Sequence, residues 1–544
     1  MPALLITSGT YITGGLATEF GALPVALLPF GLRCAFEMII DRLGVRGEPI
    51  YLSLPHDFLV THNHAALVRR CGVQILRTDP SASIGRAIAA AVDQIVANGV
   101  TSDLVLCHGD TIPEPIDLRS APDDFFAVGR PSEYHTWGGV FRSPSGRYAF
   151  ARADMLGVED EALAGLFRFS APGLLTRHLS RADGDWLLGL GFYVNESGAQ
   201  RLPVERWVDL GSQAAYHGGK RAMMRPRAFN ELRLDGHFVR KQSRDRFKMT
   251  AEYAWYGSLP DALRVYVPAV AGPFEDEDEA GYAVEYLAMP TLADMLLFGQ
   301  LPAYAWRRAL RGCVEIQAAF AGRHDTGGAD GVDPEAFYRE AIVEKTRRRL
   351  RAFCDASGFD GRRPIRFDGC AMLPLLDFCE AVLASIPPTQ QADIGLVHGD
   401  FCASNLLFDF ASGRIKMIDP RGYFLEGRVS PLGDRRYDLA KLAHSFIGLY
   451  DFVVADHADL SCATDGDETA LGLTIHTSAG LPEVQRLFES ECLGFDSEQR
   501  RGTEALMISL FLSMLALHGD DPGRQMALLA NAYRLAAPRR IGLR

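Results

Sequence analysis

Short apolar runs alternate with helix-length amphipathic segments over about the first 220 residues. ALLIT (3–7), PIYLSLP (49–55), GVQILRT (72–78) and DLVLCHGD (103–110) have the length and bounding residues of strands. Between them, CAFEMIIDRL, HAALVRRC and SIGRAIAAAVDQIVANG carry apolar residues at helical spacing. The β-α-β-α-β-α-β order predicts a wound α/β sheet.

Near residue 225 the pattern changes. RAFNELRLDGHFVRKQS predicts two strands around the turn Asp235-Gly236, and FKMTAEYAWYGSLP a helix. ALRVYVP and GYAVEYLAMP predict two further strands, with the acidic run Glu275 to Glu279 as a solvated tip between them. From residue 291 the periodicity is mostly helical, interrupted around HGDFCASNLLFD. Two domains are therefore expected, 1–224 and 225–544, the second with a small lobe (225–290) and a large helical lobe (291–544).

Composition narrows the function classes. A net charge of −12 argues against a broad nucleic-acid-binding face, which needs clustered Lys and Arg. The ten cysteines are scattered without a CxxC pair and read as reduced thiols of a cytoplasmic protein. GALPVALLPFGLRCAFEMII is cut by Pro24, Pro29, Gly31, Arg33 and Glu37, so no membrane span is expected. Oligomeric state stays open.

The tripeptide His-Gly-Asp occurs three times. In HGDFCASNLLFD, Asp400 and Asn405 are separated by four residues, and Asp419 ends the next apolar run, IKMID. Phosphoryl transfer needs a carboxylate to orient the attacking hydroxyl and oxygen ligands to hold Mg²⁺ on nucleotide phosphates. Asp400 as base, with Asn405 and Asp419 as metal ligands, supplies that set, and NLLFD with IKMID would form the hairpin that gathers it. In DLVLCHGD, Asp110 follows a strand, where α/β sheets bind ligands. Asp209 in RWVDLGSQAAYHGGK is the available second carboxylate for Mg²⁺. The third copy, LALHGDDPGR, reads as an interhelical loop with Asp520 and Asp521 at a helix restart. His56, His62 and His64 read as a loop or helix cap, and RHLSRADGDWLLG as a solvated loop.

HGDFCASN resembles the catalytic loop of the aminoglycoside phosphotransferase and choline kinase family, relatives of the protein kinases. The resemblance covers about residues 225–544. It implies a bilobal kinase-like α+β fold using ATP and Mg²⁺. Lys241 in FVRKQS matches the lysine that contacts nucleotide phosphates, and Glu252 the helix glutamate that pairs with it. Glu285 to Leu287 would be the hinge offering backbone groups to adenine, and Asp438 in GDRRYDLAKLAHS the brace of the catalytic loop. RLDGHFVRKQS lacks a G-x-G-x-x-G phosphate loop.

The first 224 residues resemble the sugar-phosphate and choline-phosphate nucleotidyltransferases, which implies a Rossmann-like α/β fold. TSGTYITGGLATEFGALPVALLPFG would be the nucleotide loop, with Gly9, Gly14 and Gly15 approaching a base or phosphate of CTP or another nucleoside triphosphate. Asp110 and Asp209 would be the metal pair. The chain departs from that family in having no Lys or Arg before Arg33 and Val25 at the usual lysine position; Lys220, Arg221, Arg225 and Arg227 are candidate replacements. The two domains in this order resemble bifunctional proteins of capsule and surface polysaccharide synthesis, which implies a sugar, sugar phosphate or choline-like alcohol as substrate. Two alternatives stay open: a first domain that binds nucleotide or sugar only to regulate the kinase, and a scaffold of polysaccharide assembly.

Overall fold

The computed structural model describes residues 2–45, 47–100, 102–130, 137–153, 161–223, 231–235, 237–275, 278–321, 331–425, 427–494 and 496–537. Arg225, Arg227 and the turn residue Gly236 lie outside them, as do two residues of the acidic run Glu275 to Glu279. The chain divides into two compact units. One is Met1–Met223 with Phe298–Gln300, the other Met224–Leu297 with Leu301–Arg544.

In the first unit, β1 (Ala3–Thr7), β2 (Ile50–Pro55), β3 (Val73–Thr78) and β4 (Leu104–His108) are parallel, in the order β3-β2-β1-β4. They match the four runs read from the sequence. All five residues of β1 but Thr7 are buried, as a strand covered on both faces requires. The helices α1 (Gly14–Phe20), α2 (Ala35–Leu43), α3 (His62–Arg70) and α4 (Ile84–Ala97) follow. Ile88, Ala91, Val92 and Ile95 turn the apolar face of α4 into a core with Leu5, Leu104, Leu106 and Phe167.

The periodicity gave no sign of what comes next. After β5 (Thr111–Pro113), the strands β6 (Phe125–Gly129), β7 (Trp137–Arg142), β8 (Tyr148–Ala153) and β9 (Ala162–Phe169) extend the sheet, with β9 antiparallel to β4. The sheet is therefore mixed. RHLSRADGDWLLG, expected as a loop, is the end of α5 (Pro172–Arg181) and the start of α6 (Trp186–Ser197). The connection is a four-residue turn with Asp183 and Gly184 at positive φ, and Asp185 caps α6 by accepting from Leu188 N–H at 3.0 Å. Leu175, Leu179, Trp186 and Leu190 bury this helix pair. β10 (Gln200–Pro203), β11 (Trp207–Asp209) and α7 (Gln213–Ala222) complete the unit.

The second unit opens with a four-stranded antiparallel sheet in the order β12 (Glu231–Asp235), β13 (Phe238–Ser243), β15 (Ala280–Glu285), β14 (Val270–Glu275). Between β13 and β14 lies α8 (Arg246–Ser258). ALRVYVP is not a strand: Asp261–Tyr266 is a 3₁₀ helix started by Pro260, of which only Leu263 is buried. The larger lobe is mostly helical, but Ile365–Phe367, Cys370–Met372, Ala458–Asp465 and Glu468–Ile475 form a further sheet absent from the expectations. Leu406–Asp409 and Arg414–Met417 pair as the expected hairpin. Among the described residues no helix is long and apolar enough to cross a membrane.

Candidate functional site

In the second unit, the site grows from β13. Lys241 points inward from that strand and is 4% exposed, a position a lysine holds only when paired. Its Nζ lies 2.5 Å from Glu252 Oε2 on α8 and 3.0 Å from Asp419 Oδ1, which follows Arg414–Met417. Burial depresses the ammonium, but the facing carboxylates of Asp419 and Glu252 outweigh it and raise its pKa. Burial raises the Glu252 carboxyl, with Lys241 opposing. The Tyr282 hydroxyl donates to Glu252 Oε2 at 2.8 Å.

Asp438, on the helix Arg435–Phe446, fixes the backbone of the His-Gly-Asp loop. Its two oxygens accept the N–H groups of His398 (2.7 Å) and Gly399 (2.8 Å). Gly399 takes φ +80°, a region that favours glycine. The His398 ring meets Ile418 O at 3.0 Å through Nε2 and Asp400 N at 3.3 Å through Nδ1, which assigns the proton to Nε2. Burial holds this ring neutral, with a pKa near 4.

Asp400 is held from both sides. Lys441 Nζ lies 2.9 Å from Oδ1, and Asn405 Nδ2 donates to Oδ2 at 3.0 Å and to the Asp400 carbonyl at 2.9 Å. Burial would raise this carboxyl, but Lys441 and Arg421 overcome it and keep the pKa far below the usual carboxylate range. Such a group orients a hydroxyl better than it retains a proton. With the amide nitrogen of Asn405 spent on Asp400, its carbonyl oxygen is left as a ligand. Together with the half-exposed Asp419 carboxylate it gives hard oxygen donors suited to Mg²⁺, which takes one or two protein ligands beside phosphate and water. Asp419 itself sits at φ +57°, uncommon for a non-glycine residue.

Glu285 ends β15 with its N–H donated to Ala269 O (2.9 Å) and its carboxylate accepting from Ala269 N–H (3.1 Å). Leu287 lies just beyond, its carbonyl accepting from Met289 N–H. Lys441 stands three residues after Asp438 and so on the same helix face, the one spacing that marks it in the sequence. Arg421, Tyr437 and Lys345 have no such spacing to mark them. The third His-Gly-Asp lies between the helices Ser497–Met514 and Pro522–Ala536, and Asp521 caps the latter by accepting from Arg524 N–H.

In the first unit, β1 and β4 end side by side, where the Thr7 hydroxyl meets His108 Nδ1 at 2.9 Å and Gly109 N–H donates to Thr7 O at 2.7 Å. The crossover order reverses at this edge, where such sheets bind ligands. β5 then pairs with β11, placing Thr111 opposite Asp209, and Asp110 O accepts from Leu210 N–H at 2.7 Å. The backbone thus brings Asp110 and Asp209 to neighbouring positions. Their carboxylates suit Mg²⁺ shared with a phosphate; among the described residues no group of three or more His, Cys, Asp or Glu forms a metal site. A Cβ on Gly9 would stand 2.5 Å from Thr78 Oγ1, so any larger residue there would have to displace the Thr78 side chain. Gly15 likewise faces Gln213, whose Nε2 donates to Glu19 at 2.6 Å, and Glu19 also binds His217 at 2.9 Å. Gly14, at φ +59°, faces open space. Lys220 lies over the Tyr216 ring.

Residues 234–468 match the model of the phosphotransferase enzyme family. No curated protein sequence matches the chain significantly. Three solved structures illustrate the structural likeness. A nucleoside-diphosphate-sugar pyrophosphorylase from Vibrio cholerae is 13% identical, with 40% of this chain and 99% of that one covered and a TM-score of 0.32. A 4-diphosphocytidyl-2C-methyl-D-erythritol synthase from Anaerococcus prevotii is 9% identical, with 41% and 95% covered and a TM-score of 0.28. A thermostable mutant of aminoglycoside phosphotransferase APH(4)-Ia is 15% identical, with 57% and 92% covered and a TM-score of 0.32.

Proposed function

We propose that the chain is an ATP- and Mg²⁺-dependent kinase of a small hydroxylated molecule, fused to a nucleotidyltransferase-like domain. Its product would be an activated precursor for capsule or cell-surface polysaccharide, made in the cytoplasm where ATP is available. The observation that carries this reading is the meeting of Lys241, Glu252 and Asp419 within one unit that also holds the Asp400–Asn405 loop.

Lys241, positioned by Glu252, would hold the nucleotide phosphates, and Asn405 and Asp419 would hold Mg²⁺. The bound metal would neutralise charge building on the phosphoryl oxygens. Asp400, fixed by Asn405 and Lys441, would accept the hydrogen bond of the acceptor hydroxyl and aim its oxygen at phosphorus. Positioning of this kind supplies most of the rate in phosphoryl transfer, which proceeds with little covalent help from the protein. In the first unit, Asp110 and Asp209 would hold Mg²⁺ against CTP or another nucleoside triphosphate beside Gly14.

A second reading of the first unit, binding without catalysis, is favoured by one observation. Arg33, the first cation of the chain, is committed to Asp41 at 2.6 Å and to Glu37 O at 2.9 Å. Nucleotidyl transfer would then lack charge compensation from the early loop. ATP consumption and pyrophosphate release with sugars, sugar phosphates and choline test both readings on the wild type, Asp400→Asn and Asp110→Asn. Full phosphoryl transfer by Asp400→Asn defeats the kinase assignment. Absence of pyrophosphate with every triphosphate and phosphorylated acceptor selects the binding role.

A further inference from the structure

Beside Asp400 lies a group of buried and half-buried cations with too few anions among them. Lys345 is 7% exposed, and its Nζ donates to the Tyr437 hydroxyl at 3.2 Å and stands 4.8 Å from the centre of that ring. Arg421 Nη1 donates to the same hydroxyl at 3.3 Å. Arg349 stands one helical turn after Lys345 on Lys345–Ser357 and is half-buried. Lys441 completes the group through its contact with Asp400.

Among the described residues neither Lys345 nor Arg349 has a carboxylate within ion-pair distance. The buried carboxylate of Asp438, on the same helix as Tyr437, is occupied by the His398 and Gly399 amides. An ammonium removed from water without a counter-charge is strongly disfavoured, and a ligand anion seated beside it would supply the missing charge. Two further observations agree. The backbone changes its winding at this spot, since Phe337–Glu344 is π-helical and Lys345 is the first residue after it; π-helices are rare and concentrate at functional sites. The unneutralised cations also leave their mark on Tyr437: although burial raises its hydroxyl, Lys345 and Arg421 pull it down to about 7, and burial with the neighbouring arginines lowers Lys345 to about 8.

We infer that the acceptor of the kinase site carries an anionic group, a phosphate or a carboxylate, that seats against Lys345, Arg349 and Arg421 beside Asp400. This inference rests on the kinase reading and narrows its substrate class. A choline-like alcohol or an aminoglycoside would bring a further positive charge against Lys345 and Arg421 and be repelled. In the reaction, the bond between the γ-phosphorus and the β,γ-bridging oxygen breaks and its electron pair leaves with ADP. The acceptor oxygen forms the new bond to phosphorus, and its proton passes by way of the Asp400 carboxylate to water.

The test uses the full chain. Glucose 6-phosphate, glucose 1-phosphate, glucuronate, glucose and choline are compared as acceptors by ADP release, and as ligands by thermal shift in the presence of saturating ADP and Mg²⁺, with inorganic phosphate as the minimal anion. The expected result is binding of phosphate- or carboxylate-bearing compounds at least tenfold tighter than glucose, with the two sugar phosphates against glucuronate telling the two anions apart. Lys345→Met and, independently, Arg349→Gln should each erase that preference at least tenfold, and Lys345→Arg should restore it. Preference for glucose or choline, no binding of any anion to the ADP-loaded protein, or an unchanged preference in both variants overturns the inference while leaving a kinase. Failure of ADP and ATP themselves to shift the melting temperature overturns the kinase reading instead.

Discussion

Lys241 Nζ lies 3.0 Å from Asp419 Oδ1, a contact made across 178 positions of sequence, and the same nitrogen is shared with Glu252. The three charges form one unit: Lys241 and Glu252 are each almost fully buried, and without Lys241 the Glu252 carboxylate keeps only Lys248, at 4.0 Å, as a counter-charge. Lys241→Met should therefore lower unfolding stability by about 3 kcal/mol, the usual cost of breaking a buried pair. Adding Glu252→Gln should recover most of that loss, since it removes the stranded carboxylate, but should not recover nucleotide binding. Denaturant titration of the single and double variants, with ATP binding measured in parallel, checks both parts. A single variant within about 1 kcal/mol of the wild type contradicts the coupling.

Asp438 is predicted to act on the His398–Asp400 loop through hydrogen bonds alone. Asp438→Ala strands two buried N–H groups, at about 1–3 kcal/mol each. The amides of His398 and Gly399 should then exchange with solvent markedly faster, and phosphoryl transfer should fall as the Asp400 backbone loosens. Asp438→Asn retains one acceptor oxygen and should do roughly half the damage. Hydrogen exchange at those two amides is the direct readout; unchanged rates in the alanine variant would show that other contacts hold the loop.

The pattern of hydrophobic positions was enough for the four parallel strands: β1, β2 and β4 are covered on both faces and read as nearly continuous apolar runs, and β3, at the sheet edge with Gln74 and Arg77 exposed, keeps enough apolar positions to be read as a strand. It was not enough for Phe125–Gly129 through Ala162–Phe169, where the pairing is antiparallel and set by partners distant in the chain. ALRVYVP carries the composition of a strand, yet Pro260 starts a 3₁₀ turn there and no neighbouring strand accepts it. Site residues follow the same division. Asp400, Asn405 and Asp419 lie close together along the chain, so spacing exposes them. Lys345 reaches Tyr437 across 92 positions, and no local pattern announces the meeting.

Two glycines separate strain from collision. Gly422 and Gly427 both hold left-handed φ, +70° and +73°. A Cβ on Gly422 would collide with Ala251 O, whereas one on Gly427 meets nothing within 4 Å. Each alanine variant bears about 1–2 kcal/mol of backbone strain. Gly422→Ala must in addition displace the α8 backbone next to Glu252, and should lose at least about 2 kcal/mol more, together with activity. Equal stabilities of the two variants would mean that α8 yields freely at Ala251.

Acid stability provides a signed prediction for the first unit. His108 is enclosed by Phe167 and Trp186, each ring centre 5.6 Å away, and burial pushes its pKa down to about 4. In the unfolded chain the same ring titrates near its usual value of about 6.5. Between these values the unfolded state binds the additional proton, so stability is fully present above about pH 6.5 and is lost as pH falls toward 4, flattening below. The largest loss is about 3 kcal/mol, since each pH step of one between the two values removes about 1.4 kcal/mol. Gln in place of His108 keeps a polar partner for Thr7 but cannot titrate. The stability of wild type relative to His108→Gln should therefore decline as pH is lowered from about 7.5 to about 4.5, by denaturant titration of the full chain. A difference that stays constant over that range, or grows in favour of the wild type, would mean that the folded state accommodates the charged ring.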